Sequence, residues 1–429
     1  MNGASTASRL HYMDAMRSVL MLLGVVLHSA RPYDSGIWQV KDVARLGLLD
    51  GLVNAIHLFR MPAFFVVAGF FAMYLLLRQP TSAFVRERLR RVLVPMLATL
   101  LTFNLVQVWL VAGTGGAAGF IHGALLPSWA SGRWVSHLWF LVVLAVYFML
   151  VAALAPLLRR LANATARASG WSDGRWALAL ILGVVVMIPI AVAVLAKLTW
   201  PALNTLLLGT VSLDDLLKYL PFFAVGMILC MAPGLVDRFA RRNLLVLGFA
   251  LCGLAGMYLT DGRQHVAYRA INIASWALLT WMVVRVVFSL FRDWANRPSP
   301  TFAYLSYASY SIYLFHHLVV IATATALLPL PLGAGVKFLI VLAIASIVPL
   351  TIHHFLIRRY DVLGYLFNGR VVPRPQTVQV TPGVPMQPGA PKSDPAASPV
   401  GTGAPDMPPG PASPPLEDDP PCAAGARRS

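Results

Sequence analysis

The sequence predicts an all-α fold, a polytopic integral membrane bundle of about ten transmembrane helices followed by a disordered C-terminal tail. Three observations carry this prediction. Hydrophobic residues make up 58% of the 429-residue chain, charged residues make up only 12%, and the mean hydropathy is +0.69. Apolar segments of roughly 17 to 25 residues, the length that crosses a bilayer as a helix, recur along the chain. Arginines collect in alternate connections between these segments.

The apolar segments are separated by short polar or basic turns. The predicted spans are residues 13–31, 49–77, 92–112, 136–158, 176–198, 216–232, 244–260, 269–290, 305–328 and 336–357. We expect residues 1–12 to form a short N-terminal segment and residues 13–360 to form one transmembrane domain. Over residues 371–429, Pro, Gly, Ala and Ser replace the hydrophobic periodicity, which predicts a disordered Pro-rich tail.

The basic connections predict the orientation of the chain in the bilayer. Clusters of arginine follow the second, fourth, sixth, eighth and tenth predicted spans, at residues 78–91, 159–175, 238–242, 292–297 and 358–359. Because cytoplasmic loops carry an excess of Lys and Arg, we expect these loops and both termini to be cytoplasmic. Basic loops beside anionic lipid account for much of the net charge of +17, so no nucleic-acid partner is expected.

Acidic residues discriminate between two classes of membrane protein. Asp and Glu fall at predicted span ends, in loops or in the tail, whereas ion-coupled transporters usually hold carboxylates near the midplane. The ionisable groups inside the predicted spans are instead arginine or histidine, and such groups are costly enough there to indicate function. This set favours an anionic ligand, which an enzyme or an exporter of anionic molecules would bind.

The first span, in the stretch DAMRSVLMLLGVVLHSA, contains the most informative pair. The eleven-residue step from Arg17 to His28 turns a helix through about 1100°, or roughly 20° beyond three full turns, and rises about 16 Å. The two side chains therefore share one face. Asp14 precedes Arg17 by three residues and is placed to pair with it.

Further candidate residues lie towards the two ends of other spans. Towards the outer side, His57 and Arg60 are i, i+3 neighbours in HLFRMP, and His137 with Trp139 begin the fourth span in SHLWFL. These four residues form an outer group of candidate site residues.

An inner group of candidates, suited to an anionic ligand, lies towards the inner side. Arg88 and Arg91 are i, i+3 neighbours in the basic turn RERLRRVLVP, and such paired guanidiniums bind phosphates well. Tyr310 and His316 belong to a polar stripe in SYASYSIYLFHH on the ninth span. The scattered Cys230, Cys252 and Cys422 have no metal-ligand spacing, so no metal site or bound cofactor is expected.

Taken together, these motifs resemble the membrane-bound acyltransferase family 3. The similarity covers the Arg17 to His28 segment, FRMPAFFVVAGFF, the Arg88 to Arg91 pair, HLWFLVVL, YLPFFAVGMIL and SYSIYLFHH, over about residues 9 to 360. Within the family it is nearest to the glucan-biosynthesis protein C group of succinyltransferases. Ala68 stands where the family often has serine before the glycine of the second helix.

The resemblance implies a multi-pass protein of the bacterial inner membrane that uses cytoplasmic acyl-CoA, either succinyl-CoA or acetyl-CoA, to O-acylate an extracytoplasmic glycan. It implies that His28 is the essential histidine, with Asp14 and Arg17 orienting the donor. In such an enzyme the inner group would bind the donor through Arg88, Arg91, Tyr310 and His316. The outer group would bind the acceptor or the acyl group through His57, Arg60, His137 and Trp139. Residues alone leave two mechanisms open, in which His28 acts as a general base or as a nucleophile that carries the acyl group. An exporter or flippase for an anionic glycan or lipid, and a scaffold that acts through its tail, also stay open, and no protein partner is predicted.

Overall fold

The computed structural model describes residues 11–112, 119–167, 206–207, 210–241 and 244–370, together with the isolated residues 183, 187, 188 and 191. Within these residues the protein consists of helices and one short antiparallel strand pair, in which Leu206 pairs with Ser212 and Leu207 with Val211. The predicted tail at 371–429, the first ten residues and most of the predicted span 176–198 lie outside the described residues.

Two groups of helices flank the strand pair along the chain. The first group comprises α1 (His11–Ala30), α2 (Gly47–Arg78), α3 (Thr81–Thr99), α4 (Leu105–Ala112), α5 (Leu126–Ala130), α6 (Trp139–Ala153) and α7 (Ala155–Arg167). The strands are β1 (Leu206–Leu207) and β2 (Val211–Ser212). The second group comprises α8 (Leu213–Met231), α9 (Pro233–Phe239), α10 (Leu244–Thr260), α11 (Val266–Ala295), α12 (Pro300–Leu327), α13 (Ala334–Ile352) and α14 (Asp361–Asn368).

Short irregular helical turns join some of these helices. A π-helical turn at Leu100–Asn104 links α3 to α4, and another at His353–Ile357 extends α13. A third π-helical turn, Ile121–Leu125, leads into α5, and a 3-10 turn, Ser136–Leu138, leads into α6.

Seven stretches of the described chain are long and apolar enough to cross a membrane. They are His11–Ala30, Gly47–Arg78, Thr81–Ala112, Ser136–Ala153, Val266–Ala295, Pro300–Leu327 and Ala334–Ile357. Each overlaps a predicted span, so the helical membrane fold is confirmed, whereas the count of about ten is not. The predicted spans 216–232 and 244–260 are helical, but α8 carries Asp214, Asp215 and Lys218 near its start and α10 has only 17 residues.

Local sequence determines where the functional helices begin. Ser212 and Asp215 form a capping box at the start of α8, in which the Ser212 hydroxyl accepts from the Asp215 N–H at 3.1 Å. Ser299 caps α12, and Pro300 occupies its first turn, where its missing N–H is not needed. The helix α3 begins at Thr81, before the predicted span start at 92, because a helix continues past the apolar run into polar surroundings.

The helices α2 and α8 cross in close contact at two glycines. A Cβ on Gly69 would lie 2.8 Å from the Phe223 carbonyl carbon, and a Cβ on Gly226 would lie 2.8 Å from the Phe70 nitrogen. Small residues allow such backbone approach between membrane helices. This crossing fixes α2, and therefore Arg60, relative to the rest of the bundle.

The first helix lies at the centre of the described bundle. It contacts α2, α11, α12 and α13, and most of its apolar side chains are buried. A helix surrounded in this way presents its polar side chains to neighbouring helices, because little of its surface is left for lipid.

Candidate functional site

The predicted common face of Arg17 and His28 is confirmed by their contacts with one neighbouring helix. The Arg17 Nη2 donates to the Ser306 hydroxyl of α12 at 2.8 Å. The His28 ring lies 4.8 Å from the His317 ring of α12, measured between centroids. One stripe of α1 therefore joins an arginine site near its beginning to a histidine site near its end.

A cavity of about 510 Å³ surrounds Arg17. Its walls come from α1, α2, α3, α6, α12 and the segment at the end of α14. Four guanidiniums line it, from Arg17, Arg88, Arg91 and Arg370. Among the described lining residues, Asp14 is the only carboxylate. The excess of positive charge in this cavity suits an anion with more than one charged group.

Neighbouring side chains hold the cavity arginines in place. The Arg17 guanidinium is 3.7 Å from the Asp14 carboxylate, and Arg91 pairs with Glu87 at 3.0 Å. The Arg370 Nη1 donates to the Tyr307 hydroxyl at 3.1 Å. The guanidinium of Arg88 lies 5.8 Å from the centroid of the Phe148 ring, and its buried Nε has no hydrogen-bond partner. A buried donor without a partner costs free energy until a ligand accepts from it.

Four imidazoles gather at the other end of the stripe, from His28, His137, His316 and His317. The rings of His137 and His317 stack with centroids 4.6 Å apart and planes 6° from parallel. The ring of His28 lies 5.4 Å from His316 and 6.5 Å from His137. We refer to these four residues as the histidine cluster.

The hydrogen bonds of the cluster fix the tautomers of two rings. The Nδ1 of His317 lies 2.7 Å from the Oε1 of Gln107, and the Nδ1 of His316 lies 2.7 Å from the Tyr313 carbonyl. Both oxygens only accept, so each Nδ1 carries the proton and each Nε2 presents a lone pair.

Several ring nitrogens in the cluster have no partner although they are buried. They are the Nδ1 of His28, both nitrogens of His137 and the Nε2 of His316. Because buried polar atoms are almost always paired, these nitrogens need hydrogen-bonding partners, which a polar ligand or ordered water can supply.

Arg60 of α2 lies between the cavity and the cluster. Its guanidinium packs against Gly24, which stands on α1 between the cavity-lining Met21 and His28. The side chain is buried, and its Nε has no hydrogen-bond partner. A positive charge in this position can stabilise negative charge beside Gly24, one helical turn before His28 on α1.

The segment before His137 is held in a strained conformation. Ser136 has a φ of 50°, which is unusual for a residue other than glycine. The Nδ2 of Asn104 donates to the Trp134 carbonyl at 2.7 Å and fastens this segment to the end of the π-helical turn. The Ser136 hydroxyl lies 3.4 Å from the Nε2 of His317. Such strain is often found where a side chain must be aimed at a functional site.

Comparison with known proteins assigns the chain to a family. The profile of a family described as an acyltransferase domain matches residues 10–354. The chain belongs to this acyltransferase family. Glucans biosynthesis protein C from Escherichia coli strain SMS-3-5 and from strain K12 are each 28% identical over 379 residues, covering 85% of this chain and 96% of the relative. No solved structure matches.

Family membership and the apolar helices together identify a membrane acyltransferase. The resemblance inferred from the motifs is thereby confirmed.

The predicted site residues of this acyltransferase divide between the two sites. The cavity contains Asp14, Arg17, Arg88, Arg91 and Tyr310, whose hydroxyl donates to the Arg91 carbonyl at 3.0 Å. The cluster contains His28, His137 and His316. His316, which was grouped with the donor-binding residues, therefore lies beside His28 and not in the cavity lining.

Two predicted residues lie apart from both sites. His57 is exposed on α2, and Trp139 packs its ring 5.4 Å from that of Tyr219 on α8. Neither ring is among the ring contacts of the described cluster. Their roles in binding an acceptor or an acyl group stay predictions.

Sequence reasoning missed several residues that the acyltransferase brings to these sites. Gln107 is a polar residue within an apolar segment, and this signal was available in the sequence. His317 directly follows His316, and its orientation depends on the packing of α12. Arg370 lies beyond the predicted domain end at 360, where no periodicity marks it.

Gly369 is the residue that allows Arg370 to reach the cavity. It ends α14 with a φ of 60°, and a Cβ there would lie 2.7 Å from the Arg91 Cα. Gly369→Ala is therefore expected to destabilise the protein by about 1–2 kcal/mol from the backbone conformation alone, with a further steric cost against α3. The midpoint of thermal inactivation in detergent should fall, and an unchanged midpoint would contradict this packing.

Proposed function

We propose that the protein transfers an acyl group, acetyl or succinyl, from cytoplasmic acyl-CoA to a hydroxyl of an extracytoplasmic glycan. The observation that carries this proposal is the stripe of α1 that joins a cavity with four guanidiniums to a cluster with four imidazoles. The guanidiniums suit the phosphates of a nucleotide, and the imidazoles suit proton transfer at an alcohol.

The cavity fits the head of coenzyme A. Its phosphates would accept charge-assisted hydrogen bonds from Arg17, Arg88, Arg91 and Arg370, which line the same space. The apolar part of the wall, from Phe64, Phe71 and Phe148 among others, would pack against the rest of the donor. The thin pantetheine arm then leads past Met21 and Gly24 to the cluster, so only the acyl group has to cross.

The cluster supplies the groups that the transfer requires. His28 takes the proton of the acceptor hydroxyl while the hydroxyl oxygen attacks the thioester carbonyl. The tetrahedral intermediate then collapses, the carbon–sulfur bond breaks, and the protonated His28 returns its proton to the sulfur, so that coenzyme A leaves as the thiol. Arg60 stabilises the oxyanion of the tetrahedral intermediate or binds a carboxylate of a succinyl group. His137 and His316 line the space beside His28.

The distribution of arginines supports a donor that binds from the cytoplasmic side of the membrane. Arg17, Arg88, Arg91 and Arg370 line one cavity, and Arg88 and Arg91 belong to the arginine-rich stretch 78–91, which covers the end of α2 and the first half of α3. Basic connections of this kind remain in the cytoplasm, so we propose that both termini are cytoplasmic and that the histidine cluster faces the opposite side of the inner membrane. The name of the relatives, glucans biosynthesis protein C, supports a glucan as the acceptor.

Transfer of labelled acyl-CoA tests this function. We expect membranes that contain the protein to attach the label to a soluble glucan as an ester, which mild alkali releases, while membranes without the protein do not. The rate should depend on both acyl-CoA and glucan concentration.

The same preparation tests the exporter. Inverted membrane vesicles are incubated with glucan and with each labelled acyl-CoA. Movement of unmodified glucan across the membrane, with no label attached from any donor, would overturn the proposal in favour of export.

A further inference from the structure

The loop between α1 and α2 places an aromatic ring against the histidine cluster. Trp38 lies with its ring centroid 6.3 Å from that of His28, and the two planes are 23° from parallel. Its centroid is 5.6 Å from that of His317, with the planes 68° apart. The side chain is half-buried, so part of it remains open at this end of the bundle.

Ion pairs hold the loop firmly on both sides of Trp38. The Asp34 carboxylate pairs with Arg31 at 2.7 Å and with Lys41 at 2.7 Å. Asp42 pairs with Lys337 of α13 at 2.7 Å, and the two side chains are 0% and 2% exposed. Burial opposes ionisation of Asp42, but hydrogen bonds from the Lys337 ammonium and the Ala44 N–H hold its pKa below the usual value. Trp38 is therefore presented by a preorganised loop, which lowers the entropy cost of binding.

Neutral polar groups surround the same place. The Nε2 of Gln107 donates to the Oε1 of Gln39 at 3.0 Å, and the Nε2 of Gln39 lies 3.5 Å from the Ser136 hydroxyl. Amides and hydroxyls both donate and accept hydrogen bonds, as the hydroxyls of a sugar do. The cavity around Arg17, which we call the arginine cavity, has the opposite character, because four guanidiniums line it.

We propose that Trp38 is the platform on which a sugar ring of the acceptor packs, with Gln39 as a hydrogen-bonding partner for its hydroxyls. The C–H face of a pyranose is apolar and fits the face of an indole, while its rim carries the hydroxyl groups. A ring held on Trp38 presents a hydroxyl to His28, the neighbour of the indole. This inference rests on the proposed function and extends it, because it assigns the acceptor site to a neutral glycan and to the loop 31–46.

Substitution of Trp38 separates stacking from simple packing. Trp38→Leu keeps an apolar side chain but removes the ring, and Trp38→Phe keeps a smaller ring. We expect Trp38→Leu to raise the apparent KM for glucan about tenfold, equal to about 1.4 kcal/mol, and Trp38→Phe to have a smaller effect. The KM for acyl-CoA should stay at the wild-type value, because the arginines that line the cavity lie at the other end of α1. Trp129→Leu is the matched control. Trp129 is 50% exposed in α5 and contacts Trp134, which lies two residues before Ser136.

The proposed role of Trp38 would be wrong if Trp38→Leu left the KM for glucan unchanged, or if it changed the KM for glucan and the KM for acyl-CoA equally. Neither result would contradict the proposed acyltransferase activity. If Trp38→Leu does not accumulate in membranes, the KM values for glucan and for acyl-CoA are compared in Gln39→Ala and Trp38→Phe instead. Calorimetric binding of glucan to the purified protein provides a measurement that does not depend on turnover. If wild-type protein transfers no label but binds glucan more tightly than Trp38→Leu, the proposed function fails and the platform stands.

Discussion

His28→Ala is expected to lower acyl transfer by about 10²–10⁴-fold while the protein remains folded in the membrane. The imidazole lies among three other histidine rings at the end of the stripe on α1. Alanine would leave the acceptor hydroxyl without a base at this position. The measurement is the initial rate of label transfer from acyl-CoA to glucan, with protein amount and thermal stability determined in parallel.

The control is a histidine away from the cluster. His122 lies in the π-helical turn Ile121–Leu125 and is exposed, so His122→Ala should transfer label at the wild-type rate. The KM for acyl-CoA should change little in His28→Ala, because the arginine cavity lies about 16 Å along the helix from this residue. Transfer by His28→Ala near the wild-type rate would remove His28 from the chemistry.

The same variant distinguishes the two roles of the imidazole. If His28 carries the acyl group, wild-type protein mixed with acyl-CoA alone should retain label after denaturation, and His28→Ala should not. If His28 is a general base, no covalent label depends on it, and hydrolysis of acyl-CoA by water should fall together with glucan acylation. The buried Nδ1 of His28, which has no partner, is available for either role.

Much of the membrane fold could be predicted from the sequence because long apolar runs admit few structures in a bilayer. The common face of Arg17 and His28 could also be predicted, since helical spacing alone determines it. The boundaries were less accurate. The sequence interpretation began the third span at residue 92, whereas α3 begins at Thr81 and includes Arg88 and Arg91 within the helix. An apolar run defines the buried length of a helix and not its ends.

The grouping of the site residues required tertiary structure. His28, His137 and the adjacent pair His316 and His317 come from three segments that are distant in sequence, and each alone is compatible with an ordinary buried histidine. Periodicity placed Trp139 near the outer end of its span, but the ring that approaches His28 belongs to Trp38 in a loop. Loop conformation depends here on ion pairs such as Asp42 with Lys337, whose partners are far apart in the chain.

In the proposed reaction, the division of charge between the two sites would allow one helix to serve substrates on opposite sides of a membrane. Guanidiniums gather where a polyanionic donor head would remain, and the cluster near Trp38 contains neutral amides and imidazoles that suit an uncharged acceptor. Moving only the acyl group avoids the large cost of taking phosphates through the apolar interior. Gly24 and Arg60 occupy the intervening turn, where an acyl group would pass.

Replacing both Arg88 and Arg91 by alanine is expected to raise the KM for acyl-CoA by about 10²-fold or more, because hydrogen bonds to charged groups are each worth about 1.5–3 kcal/mol. Both guanidiniums line the cavity on one face of α3. The rate at saturating acyl-CoA should change far less, since neither residue reaches the histidine cluster. Initial rates measured over a range of acyl-CoA concentrations at fixed glucan separate these two quantities.

A matched pair on the same helix tests whether position or total charge matters. Arg86 and Arg90 carry the same charge within the same two turns but are not among the cavity-lining residues. The double variant Arg86→Ala with Arg90→Ala should therefore keep the KM for acyl-CoA near the wild-type value. In wild-type protein the KM should also rise with ionic strength, because salt screens the attraction between guanidinium and phosphate. Equal increases in KM for the two double variants would assign Arg88 and Arg91 to membrane orientation alone, since a binding site must distinguish arginines that face it from arginines that do not.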